Sequence, residues 1–190
     1  MSETRKRILQ ITLTAIMISL LVVAQWGLGA LTGGNQFVVG SAVNLILILT
    51  SLFIGLVPAI AVACVSPFLA FAFGIGTPFI VIVPFIAVGN LVLVLCWYFI
   101  SARKQMWGNM IISLVVGAAL KYAALFLLVT KLAVPVILAL PEPKASVISA
   151  AFSWPQLVTA LIGGVIAIII APIVTPALRS RKYSSENDTK

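Results

Sequence analysis

Pro78–Ser101 reads PFIVIVPFIAVGNLVLVLCWYFIS, an uninterrupted run of 24 residues without a charged side chain. An α-helix rises about 1.5 Å per residue, so roughly 20 apolar residues cross a hydrocarbon layer of about 30 Å. Further apolar runs lie on both sides of this stretch, and several are separated by segments rich in glycine or proline. The sequence therefore predicts six spans: Ile8–Leu31, Phe37–Leu56, Pro58–Gly74, Pro78–Ser101, Asn109–Leu132 and Trp154–Leu178.

The composition leaves little material for anything except these spans. Of the 190 residues, 62% are hydrophobic and only 8% are charged, and the mean hydropathy is +1.23. A soluble domain of this length would not stay in solution with such a composition. We therefore expect an all-α integral membrane protein, a compact bundle of six transmembrane helices. Residues 1–182 would form one domain, and residues 183–190 a short polar cytoplasmic tail.

Basic residues are concentrated before the first span, after the fourth and after the sixth. Six spans place these segments on one face, and an excess of Lys and Arg marks the cytoplasmic face. We therefore expect both termini to be cytoplasmic and the net charge of +8 to encode orientation, not a nucleic-acid partner. The opposite face carries the uncharged loop Gly27–Gly40 and the connection Ala133–Ser153, where a solute would enter. The basic residues that decide the orientation are Arg5, Lys6, Arg7, Arg103, Lys104, Arg179, Arg181 and Lys182.

The residue inventory excludes most catalytic chemistry. The chain has no histidine, and Cys64 and Cys96 both lie inside apolar stretches. It contains no phosphate-binding loop, no zinc-protease motif and no nucleophile elbow, and none of its four acidic residues lies within a span. We therefore expect neither an enzyme nor a metal site nor a cofactor.

Lys121 is the residue that stands out, because a cation within an apolar span costs at least about 2.5–3.5 kcal/mol on insertion scales. Counted from the predicted cytoplasmic ends, Lys121 lies about 18 Å into the membrane, Asn44 about 19 Å and Asn90 about 16 Å. Three spans thus offer polar groups at one depth, which favours an anionic or strongly polar ligand. Two alternatives remain: Lys121 could extend its ammonium outward along the span, and the two asparagines could be hydrogen-bonding contacts between helices.

Aromatic and amide side chains near the outer ends of the spans would complete such a site. A few hydrogen-bonding groups among aromatic walls are typical of pockets for small molecules. Trp26 and Trp154 fit a belt of indoles at the headgroup level equally well. The predicted ligand-binding residues beyond the three at mid-depth are Tyr122, Trp26, Asn35, Gln36, Trp154 and Gln156, with Gln25 beside them.

Small residues on the first span form a second candidate surface. Ala15 and Ser19, with Thr12 and Val23, lie on one helical face at three- to four-residue spacing. Small side chains let another helix approach closely. Spacing alone favours packing inside this chain just as much as packing against a partner.

The segments Asn35–Asn44, Ser66–Phe68, Gly74–Gly76, Pro84–Ala87 and Gly89–Asn90 resemble the substrate-binding S components of energy-coupling factor (ECF) vitamin transporters. The size, the six-span layout and the basic tail are similar as well. The resemblance covers nearly the whole chain in layout, but its motifs are confined to Asn35–Asn90, and it does not name the substrate.

The resemblance implies partners and a localisation. In that family a small A-x-x-x-A strip on the first helix contacts a transmembrane T component, which carries two cytoplasmic ATPases. Ala15 and Ser19 match the strip, with Ser in place of the second Ala. The family binds its vitamin near the outer face under a lid formed by the loop between the first two helices, here Gly27–Gly40. The resemblance thus implies a bacterial or archaeal plasma membrane as the location and import of a small micronutrient as the function.

Two other functions also fit the residues. A stand-alone permease would transport without ATPases, but it would need a coupling group, and the spans offer none beyond Lys121. A membrane scaffold or assembly subunit would use the polar residues only to join helices, and no ligand would stabilise it.

Overall fold

A computed structural model describes residues 3–102 and 106–187, without the side chains of residues 176–187. This part of the chain is helical and contains no strand. A 3-10 turn, Ile80–Ile82, precedes α4, and π-helical segments, Tyr98–Ala102 and Phe126–Ile137, continue α4 and α5. The helices are α1 Glu3–Leu31, α2 Gln36–Phe53, α3 Leu56–Ala72, α4 Val83–Trp97, α5 Trp107–Leu125, α6 Lys144–Ala151 and α7 Trp154–Asn187.

Five helical stretches of the described chain are long and apolar enough to cross a membrane, which indicates a multi-pass membrane protein. They are Glu3–Leu31, Gln36–Phe53, Ile80–Ala102, Trp107–Ile137 and Lys144–Thr175. The third predicted span corresponds to α3, an apolar helix of 17 residues that contains Pro67. Helices are favoured because lipid offers no hydrogen bonds to the backbone, so each segment has to satisfy its own N–H and C=O groups.

Short connections with glycine and asparagine separate the first three helices. Asn35 precedes α2, and its Oδ1 accepts a hydrogen bond from the Phe37 N–H at 2.9 Å, which satisfies one of the free donors at a helix start. Only Ile54 and Gly55 join α2 to α3. Gly55 has φ +127°, a conformation that side chains disfavour, so this tight hairpin depends on glycine.

α2 and α7 pack closely along their lengths. A Cβ on Gly163 of α7 would lie 2.7 Å from the Ser41 carbonyl oxygen and 2.9 Å from the Asn44 Cβ. α4 packs against both α3 and α5, and α5 also contacts α7. The main core lies between these helices around the fully buried Trp97.

α1 lies at the edge of the bundle, against α2 and α3. Leu21 is its one fully buried residue, and Ile11, Val23 and Trp26 are mostly exposed. A helix so apolar and so little covered by its own chain faces lipid or another protein.

Helix extends into two segments that were predicted to lie outside the spans. The connection Ala133–Ser153 is not an irregular loop: the fifth span remains helical to Ile137, and α6 occupies part of the remainder. The tail predicted at residues 183–190 is helical as far as Asn187. Arg103 and Lys104, on which the predicted orientation partly depends, lie outside the described residues, as do the side chains of Arg179, Arg181 and Lys182.

Candidate functional site

A cavity of about 420 Å³ lies inside the helical bundle at one of its ends. Its wall includes Gly34 between α1 and α2, Thr77 between α3 and α4, and Phe152 between α6 and α7. These three connections therefore lie at the same end of the bundle. Because successive long helices run in opposite directions, the start of α1 and the α2–α3 hairpin lie at the other end.

Lys121 forms the floor of the cavity together with two asparagines. Its Nζ donates to the Asn44 Oδ1 at 2.5 Å and to the Asn90 Oδ1 at 2.8 Å. The Lys121 side chain is only 3% exposed, so it does not reach outward along the helix. α2, α4 and α5 thus bring together the three polar residues that the sequence places at one depth.

The chemistry of the ammonium fixes the orientation of both amides. An ammonium has three donors and no acceptor, so the asparagine oxygens have to face it. The Asn44 Nδ2 then donates to the Thr159 Oγ1 of α7 at 3.3 Å. The Asn90 Nδ2 and the third N–H of Lys121 have no partner among the described residues, and both residues line the cavity. The floor therefore offers hydrogen-bond donors.

None of the described residues that line the cavity is a carboxylate that could balance Lys121. Two acidic residues have described side chains. Glu3 pairs with Lys6 at the start of α1, and Glu142, just before α6, accepts a hydrogen bond from the Ser146 N–H. The described residues also contain no group of His, Cys, Asp and Glu side chains that could hold a metal ion. A buried charge is normally paired or faces a polar cavity, so the floor is suited to an anionic or strongly polar group.

The middle of the cavity is apolar. Val39 and Val43 of α2, Phe71 of α3, Ile86 of α4 and Phe152 after α6 contribute to its wall. This combination of apolar walls with a few converging polar groups is typical of sites for small organic molecules.

Three glutamines, Gln25, Gln36 and Gln156, contribute to the cavity wall. The Nε2 atoms of Gln36 and Gln156 donate to the same acceptor, the Ala151 carbonyl oxygen at the end of α6, at 2.5 and 3.1 Å. The Oε1 of Gln25 is buried and has no hydrogen-bond partner within the described chain. Gln36 and Gln156 each keep an oxygen and a second N–H, so this part of the wall offers both acceptors and donors.

Not every predicted site residue lies at the cavity. Lys121, Asn44, Asn90, Gln36 and Gln156 line it, whereas the other four predicted residues do not. The four are Tyr122, which stacks near Phe126; Trp26, 67% exposed; Asn35, which caps α2; and Trp154, 59% exposed beside Phe37. Depth along a helix does not specify which way a side chain points, and these four point elsewhere.

Thr159 and Phe71 are functional candidates that the sequence did not single out. Thr159 lies one turn after Gln156, and this spacing alone could have placed both on one face of α7. Phe71 and Phe152 resemble any other apolar residue of the spans, so no signal in the sequence marks them as cavity walls.

The small residues of α1 are not packed inside this chain. Ala15 and Ser19 are exposed, as are Thr12 and Val23. Internal packing, one of the two interpretations of this strip, therefore does not apply.

Comparison with known protein families, curated proteins and solved structures identified no match to this chain.

Proposed function

We propose that this protein captures a small polar or anionic solute in the cavity above Lys121. One observation carries the proposal: Lys121 is buried on the floor of the cavity, and none of the described residues that line the cavity is a carboxylate that could balance its charge. The sites of lipid-embedded carriers are expected to look like this, because intramembrane charges are expensive unless they serve a ligand or an ion path.

The cavity would open on the outer side of a plasma membrane. Arg5, Lys6 and Arg7 begin α1, at the end of the bundle opposite the cavity. Clusters of Lys and Arg favour the cytoplasmic side, so the termini would be cytoplasmic and the cavity would face outward. The solute would then be captured from outside a bacterial or archaeal cell.

The transport step would use partners, as in the ECF systems that the sequence resembles. The resemblance assigns Ala15 and Ser19 to contact with a transmembrane T component, and the exposure of both residues supports this assignment. Two cytoplasmic ATPases bound to the T component would supply the energy, which agrees with the lack of a phosphate-binding loop in the sequence. The chain itself would be a non-enzymatic binding subunit.

Two measurements on the tagged full-length chain test this function. Purification from native membranes in mild detergent should recover a T-type membrane protein and two ATPases. An Ala15→Leu substitution should reduce that recovery, because a bulky side chain prevents close helix approach. Ala119→Leu is the matched control, since Ala119 is also small and exposed but lies on α5.

The outcomes separate the alternative functions. Recovery of the chain alone, still stabilised by a solute, would favour a stand-alone permease. Recovery alone with no stabilisation by any solute would favour a scaffold, because a binder gains about 2.7 kcal/mol at a hundredfold excess of ligand over Kd. Unchanged partner recovery by Ala15→Leu would contradict the assigned docking face.

A further inference from the structure

We infer that the solute is a small monocarboxylate with an apolar body. This inference rests on the proposed function, because it specifies what the same cavity binds. It comes from the arrangement of charges, donors and acceptors along the cavity wall, together with its volume and length.

The floor selects an acceptor. The third N–H of Lys121 and the Nδ2 of Asn90 both remain without a partner in the described chain, and both residues line the cavity. The acceptor atoms nearest the ammonium, Asn44 Oδ1 and Asn90 Oδ1, already serve it. A ligand group that meets only donors has to be an acceptor without protons of its own, and a carboxylate offers two such oxygens.

The charge of the cavity selects a monoanion. Among the described residues that line the cavity, Lys121 is the only Lys or Arg, and none is Asp or Glu. One positive charge balances one negative charge. A phosphate monoester carries about −1.5 to −2 at neutral pH, so part of its charge would be left without a partner in an apolar enclosure, where uncompensated charge is expensive.

The outer part of the wall does not select between donors and acceptors. Gln36 and Gln156 each donate one N–H to the Ala151 carbonyl oxygen, and each amide keeps an oxygen and a second N–H. A polar group at this end of the solute is therefore accommodated whether it donates or accepts.

The dimensions limit the size of the solute. Gln36 precedes Asn44 by eight residues on α2, which corresponds to about 12 Å along the helix. A cavity volume of about 420 Å³ lies within the range of about 300–1,000 Å³ that is usual for small-molecule sites. A small organic molecule with an apolar body fits this space.

Matched probes test the inference on the purified full-length chain. The panel contains hydroxylated aromatic and aliphatic monocarboxylates, beginning with 4-hydroxyphenylacetate, each with its primary amide and with the phosphate monoester of the corresponding alcohol. The readout is the midpoint of thermal unfolding, titrated with each probe. We expect the stabilising members to be carboxylates that bind roughly 10- to 100-fold more tightly than their amides, as expected for a charge-assisted hydrogen bond.

Variants connect the effect to the floor of the cavity. Lys121→Met should abolish the preference for carboxylate over amide. Lys131→Met should preserve it, because Lys131 lies on the same helical span but is exposed, beside the Phe126 ring at 5.3 Å. Since the comparison of carboxylate with amide is made on the unsubstituted chain, a folding defect in Lys121→Met would not prevent a decision.

Each result has one consequence. Equal binding of amides, or tighter binding of phosphates, would overturn the monocarboxylate and leave solute capture intact. A carboxylate preference that survives in a folded Lys121→Met variant would overturn the role of Lys121. Failure of every carboxylate of the panel at millimolar concentration would overturn the monocarboxylate, whereas solute capture itself is decided by whether the chain purified from native membranes carries a small-molecule adduct.

Discussion

Gly163→Ala tests the contact that places Asn44 on the cavity floor. The added Cβ would lie 2.7 Å from the Ser41 carbonyl oxygen and 2.9 Å from both the Asn44 Cβ and the Leu45 nitrogen. An ordinary van der Waals contact begins near 3.4 Å, so the backbone of α2 has to retreat by 0.7 Å at Ser41. Two of these three atoms belong to the backbone, so rotation of a side chain cannot relieve the overlap.

The expected loss follows from the energetics of overpacking. An extra methylene in a packed core costs about 1–3 kcal/mol, and for a chain of 150–250 residues each kcal/mol corresponds to about 2–4 °C in Tm. Any Gly to Ala change in a helix also gains about 1 kcal/mol of helix propensity. Gly27→Ala is the matched control for this gain, because a Cβ at Gly27 of α1 would have no atom within 4 Å.

We therefore expect Gly163→Ala to melt roughly 2–12 °C below Gly27→Ala. The assay is thermal unfolding of the purified chain in detergent, followed by intrinsic fluorescence. The variant should also bind the solute more weakly, since the Asn44 Nδ2 is already 3.3 Å from the Thr159 Oγ1. A melting temperature for Gly163→Ala equal to or above that of Gly27→Ala would refute the close α2–α7 contact.

Two further predictions concern the hydrogen bonds that hold α6 and the contact between α4 and α5. Gln36→Leu should speed hydrogen–deuterium exchange in α6, because the Gln36 and Gln156 side chains both donate to the Ala151 carbonyl oxygen. The double variant Gln36→Leu/Gln156→Leu should speed exchange further. Unchanged exchange in the double variant would show that these bonds do not hold α6. Gly89→Ala should lower the Tm, because its Cβ would lie 2.6 Å from the Leu125 Cγ. Adding Leu125→Ala should restore part of the lost stability. A double variant less stable than both single variants would contradict this contact.

The sequence predicted the helices well because hydropathy and breakers mark where lipid-embedded segments begin and end. The first predicted span ends at Leu31, as does α1, and the last begins at Trp154, as does α7. α6 was missed since its eight residues are too few and too polar to resemble a span. A short helix of this kind is stabilised by contacts with Gln36 and Thr130 from other segments, which no local pattern reveals.

The sequence predicted the level at which the site residues lie along the helices, but not the direction in which their side chains point. Counting 1.5 Å per residue brought Lys121, Asn44 and Asn90 to one level, and the structure places them within hydrogen-bonding distance. The same arithmetic could not exclude Trp26 or Trp154, because rotation about the helix axis depends on which neighbours each face contacts. In a helix that is apolar all round, the hydrophobic pattern does not distinguish the face toward protein from the face toward lipid.

Native mass spectrometry of the chain purified from its own membranes tests most directly the claim that the cavity holds a solute above Lys121. If the cavity holds a solute above Lys121, the unsubstituted protein and the Lys131→Met variant should each carry one adduct of small-molecule mass. A folded Lys121→Met variant should lack this adduct. An identical adduct on Lys121→Met, or no adduct on any of the three proteins, would contradict the claim.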